Sequence, residues 1–202
     1  MCFSATASFL ASGSIGAIGA AGLKKVRRRR DYAIAAIPFF FAIQQALEGI
    51  VWLSLNRPFI NLLAAKGYLF FAYAFWPIYI PWAVRLAEPQ PKRKSFLLLL
   101  LSIGIAVGLY GLWLAILTTT HALVVNRGLQ YHVPETYLAY GFFYVLAVSV
   151  SFFVSSSRWL VAMGVLLSAA LAVAIIFSYE TVASVWCFYA ALLSSLTYLH
   201  LF

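Results

Sequence analysis

Charge is scarce in this sequence. Five acidic and 14 basic residues in 202 leave 9% of the chain charged, where a soluble domain carries about 25%. With 64% of the residues hydrophobic, a water-soluble fold would expose more apolar surface than solubility allows. The same composition excludes a disordered tail, and two cysteines are too few for a disulfide-stapled secreted module. Signature motifs are missing as well: no HExxH, HxxxH, GxSxG, P-loop or GxGxxG occurs. No intramembrane histidines are placed to hold haem, and the last helix has no lysine for retinal. A polytopic membrane protein remains.

A spanning helix needs about 20 mostly apolar residues. Seven segments satisfy this, at roughly 3–23, 32–55, 62–87, 96–118, 136–155, 158–178 and 181–201. The runs are continuous rather than alternating, which favours helices over a β-barrel. The expected fold is therefore all-α, a single transmembrane domain over residues 1–202 with seven helices. The first segment carries its basic cluster after the apolar stretch, so it reads as a retained helix and not as a signal peptide. Lys24, Lys25, Arg27 to Arg30, Arg85, Lys92 to Lys94 and Arg158 follow the odd-numbered helices, while Arg57, Lys66 and Arg127 fall on the other side. This imbalance puts the amino terminus outside and the carboxyl terminus in the cytoplasm. Charge of this kind sets topology; nucleic-acid binding would want basic residues interleaved with aromatics on a soluble face.

Small residues suggest how the segments pack. Gly13, Gly16, Ala17 and Ala20 on the first helix, and Gly104 and Gly108 on the fourth, have the spacing that lets backbones approach. Pro38, Pro77 and Pro81 are expected to bend helices 2 and 3. Trp113, Trp159, Tyr131, Tyr137 and Tyr179 lie near span ends, as an aromatic belt would. The loop from Thr119 to Glu135, with His121 and His132, either caps an outward-facing pocket or is a solvated connection.

Ionisable residues within spans are costly and default to functional candidates. Glu48 is expected roughly 12 Å below the outer end of helix 2 at 1.5 Å per residue. Gln44, Gln45 and Trp52 share its helix face by three- and four-residue spacing. Trp186 and Cys187 on helix 7 reach a similar depth, and Cys2 starts helix 1 at the same side, followed by the stripe Ser4, Ser8 and Ser12. Cys2 is a candidate nucleophile or metal ligand and Glu48 a candidate acid/base. Cys2, Glu48, Cys187 and His121 together offer plausible metal-ligand chemistry, without a close-spaced motif. The sequence assigns no cofactor.

The opening MCFSATASF, with the blocks QQALEGIVW and WCFYAALLS, resembles a bacterial family of small multi-pass membrane proteins that begin in the same way. The resemblance covers most of the chain and implies a seven-helix membrane protein, hence an integral protein of the bacterial cytoplasmic membrane, but no chemistry. Three functions compete. One is an outward-facing pocket that binds, senses or transports a small or amphipathic ligand, lined by Gln44, Gln45, Glu48, Trp52, Trp186 and Cys187. The second is a membrane enzyme using Cys2 and Glu48. The third is a structural subunit docking through its small-residue faces. The pocket ranks first, because it requires only the cluster, whereas the enzyme lacks a nucleophile–base pair at defined spacing. The partners expected are the lipid bilayer and a small-molecule, lipid or metal ligand.

Overall fold

Ser4 starts the first helix by accepting a hydrogen bond from the Ala7 N–H at 3.2 Å, the usual way of satisfying an orphan donor at a helix start. In the computed structural model, which describes residues 4–117, 122–125, 128–131 and 138–201, α1 runs Ala5–Lys25 and ends on basic residues that suit the negative end of its dipole. Then come α2 (Arg29–Leu53), α3 (Pro58–Ala87) and α4 (Pro91–Leu117). A two-stranded hairpin follows, β1 (Ala122–Val125) and β2 (Gly128–Tyr131), with Ala122 opposite Tyr131 and Val125 opposite Gly128. The chain continues with α5 (Leu138–Val154), α6 (Arg158–Phe177) and α7 (Tyr179–Leu199). Six of these seven helices are long and apolar enough to cross a bilayer, and α5 is a shorter apolar helix.

The prolines act where expected, each in its own way. The chain breaks helical geometry at Ala36, two residues before Pro38, so α2 is an initial turn, a short helix and a main helix Ile37–Leu53. In α3 a π-helical stretch, Phe70–Phe75, precedes Pro77, and Pro81 sits within the helix Trp76–Ala87. Proline has no N–H, so Pro77 and Pro81 cannot donate to Tyr73 and Pro77, four residues earlier. Neighbouring helices cover those carbonyls. The Tyr140 hydroxyl of α5 donates to the Tyr73 oxygen at 2.9 Å. From α4, Gly104 lies so close to the Pro77 oxygen that a Cβ there would sit 1.9 Å from it. Gly108 and Gly111 approach Ala74 and Tyr73 in the same manner. The glycine face of α4 thus meets the bent backbone of α3, as close packing in a bilayer requires.

On α1 the packing face differs from the expected stripe. Gly13, Ala17 and Ala20 are exposed, and the buried face is Ser8, Ala11, Ile15, Gly19 and Gly22. Gly19 touches Phe39 and Gly16 touches Ala42, while the Ser12 hydroxyl donates to the Ala42 oxygen at 2.8 Å. These contacts recur at intervals of three and four residues, which is what two crossing helices need.

Contacts tie the bundle into two ends. At one, Arg93 donates to the Val154 carbonyl at 2.9 Å, Glu88 meets Ser156, and Lys25 lies over the Tyr198 ring. This end collects the eleven basic residues that follow α1, α3 and α5. At the other, Asn61 bonds the Val51 oxygen and the Ala122 N–H, Lys66 donates to the Ile116 oxygen, and Gly128 packs on Thr181. The core is apolar and continuous through Ile15, Ile37, Phe41, Trp76, Phe152 and Met163. Outward, large apolar side chains such as Leu53, Phe59, Ile176 and Phe177 are exposed, the last at 80%, as helices facing lipid present themselves.

Candidate functional site

Glu48 lies five residues before the end of α2 at Leu53, about 7.5 Å at 1.5 Å per residue. It is shallower than the sequence suggests because α2 stops at Leu53. There the Ser54 hydroxyl turns back to the Ile50 oxygen at 2.7 Å, and Asn61 reaches the Val51 oxygen at 3.2 Å. The acid is nonetheless fully buried, as are Gln44 and Gln45.

The four-residue spacing places Gln44 and Glu48 on the face that meets α3 and α7. The indole N–H of Trp76 donates to the Gln44 side-chain oxygen at 2.6 Å. The Ser184 hydroxyl, from the first full turn of α7, donates to Glu48. Cys187, three residues further, is a free buried thiol lying beside Gln44 and Tyr68. Gln44, Glu48 and Cys187 therefore come together from two helices distant in sequence, and Tyr68 of α3 closes the third side, donating to the Ala183 oxygen at 3.2 Å.

The other candidates stand at the margin. Gln45 lies between Ala42 and Gly49, the positions that touch α1, so it faces α1 instead of α7. Its amide makes no hydrogen bond to a described residue, and the buried Ser8 hydroxyl makes none either. Trp52 is partly buried one turn above Glu48, packed on the cluster of Val51, Tyr68 and Leu129. Trp186 points away from Glu48: its indole N–H donates to the Leu167 oxygen at 3.2 Å, and its ring meets Tyr144 edge-on. Cys2 and His121 lie outside the described residues. Among the described residues, no three of His, Cys, Asp and Glu gather as metal ligands would.

The hairpin covers this cluster. Leu129 is fully buried, and the Tyr131 ring stacks on Tyr68 at 4.6 Å between centroids. The described part of this loop is therefore packed against the bundle end and not a wholly solvated connection. Tyr131 is consequently part of the interior and not of an aromatic belt, whereas Trp113, Trp159 and Tyr179 are exposed at span ends. Tyr137 lies outside the described residues.

Beside the cluster opens a groove of about 860 Å³ between α3, α5, α6 and α7. Tyr73, Tyr140, Tyr144 and Trp186 form its aromatic wall, Leu171 and Ile175 its aliphatic wall, and Cys187 also lines it. Cys187 thus borders both the groove and the polar cluster.

A second buried acid, Glu88, holds the opposite end together. It accepts from the Ser156 N–H at 2.7 Å, from the Ser156 hydroxyl, and from the Gln90 N–H at 3.1 Å. Burial pushes its carboxyl pKa up. The hydrogen bonds from Ser156 and Gln90 and the nearby Arg93 charge outweigh this and hold it below the usual carboxylate range.

A family model described as a family of unknown function (DUF6629) matches residues 1–201. The chain belongs to that family. No curated protein matches it, and no solved structure does. A family of unknown function supplies no activity to transfer. The remaining site residues were hidden in the sequence. Ser184, Tyr68 and Trp76 are common residue types in apolar helices, and only the folded bundle shows them facing Glu48, Cys187 and Gln44.

Proposed function

We propose that this protein binds an amphipathic, membrane-soluble ligand that enters the groove from the side and lays its polar end against the Glu48 cluster. The observation that carries the reading is the position of Cys187, which lines the groove and also lies beside Gln44. Ligand sites are mostly apolar with a few placed polar groups, and this one pairs an aromatic and aliphatic wall with one acid, one amide and one thiol. The basic end faces the cytoplasm in this reading, so the hairpin-capped cluster lies in the outer half of a bacterial cytoplasmic membrane. Sensing and transport both begin with such binding.

The test is extraction of the purified protein followed by mass spectrometry of what it retains. Wild type should release a single-chain amphiphile in stoichiometric amount. Ala139→Trp, which fills the groove, and Glu48→Gln, which removes the charge, should each lose it while remaining monodisperse. Equal retention by both variants would overturn the reading.

A further inference from the structure

The basic end holds an arginine whose surroundings do not satisfy it. Arg85 is partly buried near the end of α3, and its Nε–H is buried without a hydrogen bond to any described residue. The two carboxylates at this end are committed elsewhere. Glu88 accepts from Ser156 and Gln90, and Asp31 lies 3.9 Å from Arg30. A guanidinium presents donors in a rigid fork that matches a phosphate, and a buried donor left without an acceptor is costly. This points to an anion.

The surroundings of Arg85 say which kind. The turn Arg29–Asp31 packs against the helix Trp76–Ala87 that carries Arg85, so exposed Arg29 and Arg30 stand beside that helix at the same end of the bundle. The Tyr79 hydroxyl donates to the Ala33 oxygen at 2.8 Å and fixes the start of α2 against α3. Trp82, three residues before Arg85 and so on the same helix face, is 41% exposed, and Tyr32, directly after the turn Arg29–Asp31, is 48% exposed. Amphipathic rings at this level mark the boundary between hydrocarbon and headgroups. We propose that Arg85, with Arg29 and Arg30, binds the phosphate of an anionic phospholipid headgroup, while Trp82 and Tyr32 lie along the upper part of its chains. The site is separate from the groove and does not depend on it.

The experiment uses full-length protein, delipidated in neutral detergent and placed in nanodiscs of phosphatidylcholine with or without phosphatidylglycerol. Native mass spectrometry should show retained phosphatidylglycerol in preference to phosphatidylcholine, and thermal unfolding should shift upward with it. Arg85→Gln should weaken this preference about tenfold, the scale of one lost charge-assisted contact. Arg29→Gln, an exposed change that leaves the fold alone, should weaken it in the same direction, so the proposal stays testable if Arg85→Gln fails to fold. Lys92→Gln, at the same end but on α4, should leave the preference as in wild type. Equal loss from Lys92→Gln and from the two arginine variants would reduce the effect to diffuse charge and overturn the site. Inorganic phosphate that reproduces the thermal shift at millimolar concentration would make the ligand a free anion and overturn the lipid assignment.

Discussion

Replacing Gly104 by alanine tests the packing of α3 against α4 directly. The new Cβ would sit 1.9 Å from the Pro77 carbonyl oxygen and 2.8 Å from its carbon, both rigid backbone atoms. Contacts below 3.0 Å are not tolerated, so the helices must separate locally by about 1 Å. Overpacking of this kind costs about 1–3 kcal/mol. The separation also loosens the approach of Gly108 to Ala74 and of Gly111 to Tyr73, weak Cα–H···O contacts of about 0.5–1 kcal/mol each. Against this, alanine regains up to about 1 kcal/mol of helix propensity. The net expectation is a loss of about 2–3 kcal/mol. Gly13→Ala is the matched control, because nothing lies within 4 Å of its Cβ position, and it should be neutral or stabilising by up to about 1 kcal/mol. Reversible unfolding in mixed micelles, read by circular dichroism, gives both values. If Gly104→Ala is as stable as wild type, or Gly13→Ala is equally damaged, the close approach of α4 to the α3 carbonyls is not what holds this pair.

Three further outcomes follow from the two buried acids and the hairpin. Ser184→Ala removes the hydroxyl that donates to Glu48 and should cost about 1–3 kcal/mol in the same unfolding assay; no change would mean that the bond contributes nothing. Glu88→Ala removes the carboxylate that accepts from the Ser156 N–H and hydroxyl and from the Gln90 N–H, and should cost about 1–3 kcal/mol at pH 7, the scale of hydrogen bonds to a charged group. Because the folded-state pKa of Glu88 is depressed, its contribution is complete above the unfolded value near 4.3 and is lost as pH falls through the folded value, so the gap between wild type and variant should close in acid. A gap independent of pH would refute the role of the charge. Tyr131→Ala in a Cys2→Ser background should speed alkylation of Cys187 by a membrane-permeant maleimide several-fold, since the Tyr131–Tyr68 stack covers that end; an unchanged rate would show that the hairpin does not cover the thiol.

The spans were legible in the sequence because hydrocarbon imposes length and apolarity on each of them in turn. Glu48 stood out for the same reason, since a carboxyl inside such a run has to be explained. Its partners did not stand out. Ser184 is one serine among many in apolar helices, and its relation to Glu48 exists only across the contact between α2 and α7. Glu88 escaped notice because it sits among charged residues that read as a solvated turn, and only the Ser156 bonds reveal a buried carboxylate. The hairpin was invisible for a further reason: four residues per strand give too short a pattern to separate from a loop, and its register is set by Leu129 and Tyr131 finding the bundle end. On α1 the small-residue stripe misled: Gly13, Ala17 and Ala20 are exposed, Gly16 alone of the four packs on α2, and the buried face mixes Ser8, Ala11, Ile15, Gly19 and Gly22.

The carbonyls bared by the prolines of α3 have a mechanical consequence. Tyr73 and Pro77 are covered only while Tyr140 of α5 and the glycines of α4 stay in place, and sliding either helix would turn a bare oxygen toward hydrocarbon. This makes α3, α4 and α5 a stiff frame that resists shear. The groove has one wall on that frame and the other on α6 and α7, where Leu171, Ile175 and Val182 line it together with Tyr179, Trp186 and Cys187. On that wall α7 is held to α2 by the Ser184–Glu48 bond and to α3 by the Tyr68–Ala183 bond, so any widening of the groove falls to α6, which the Trp186–Leu167 bond ties to α7.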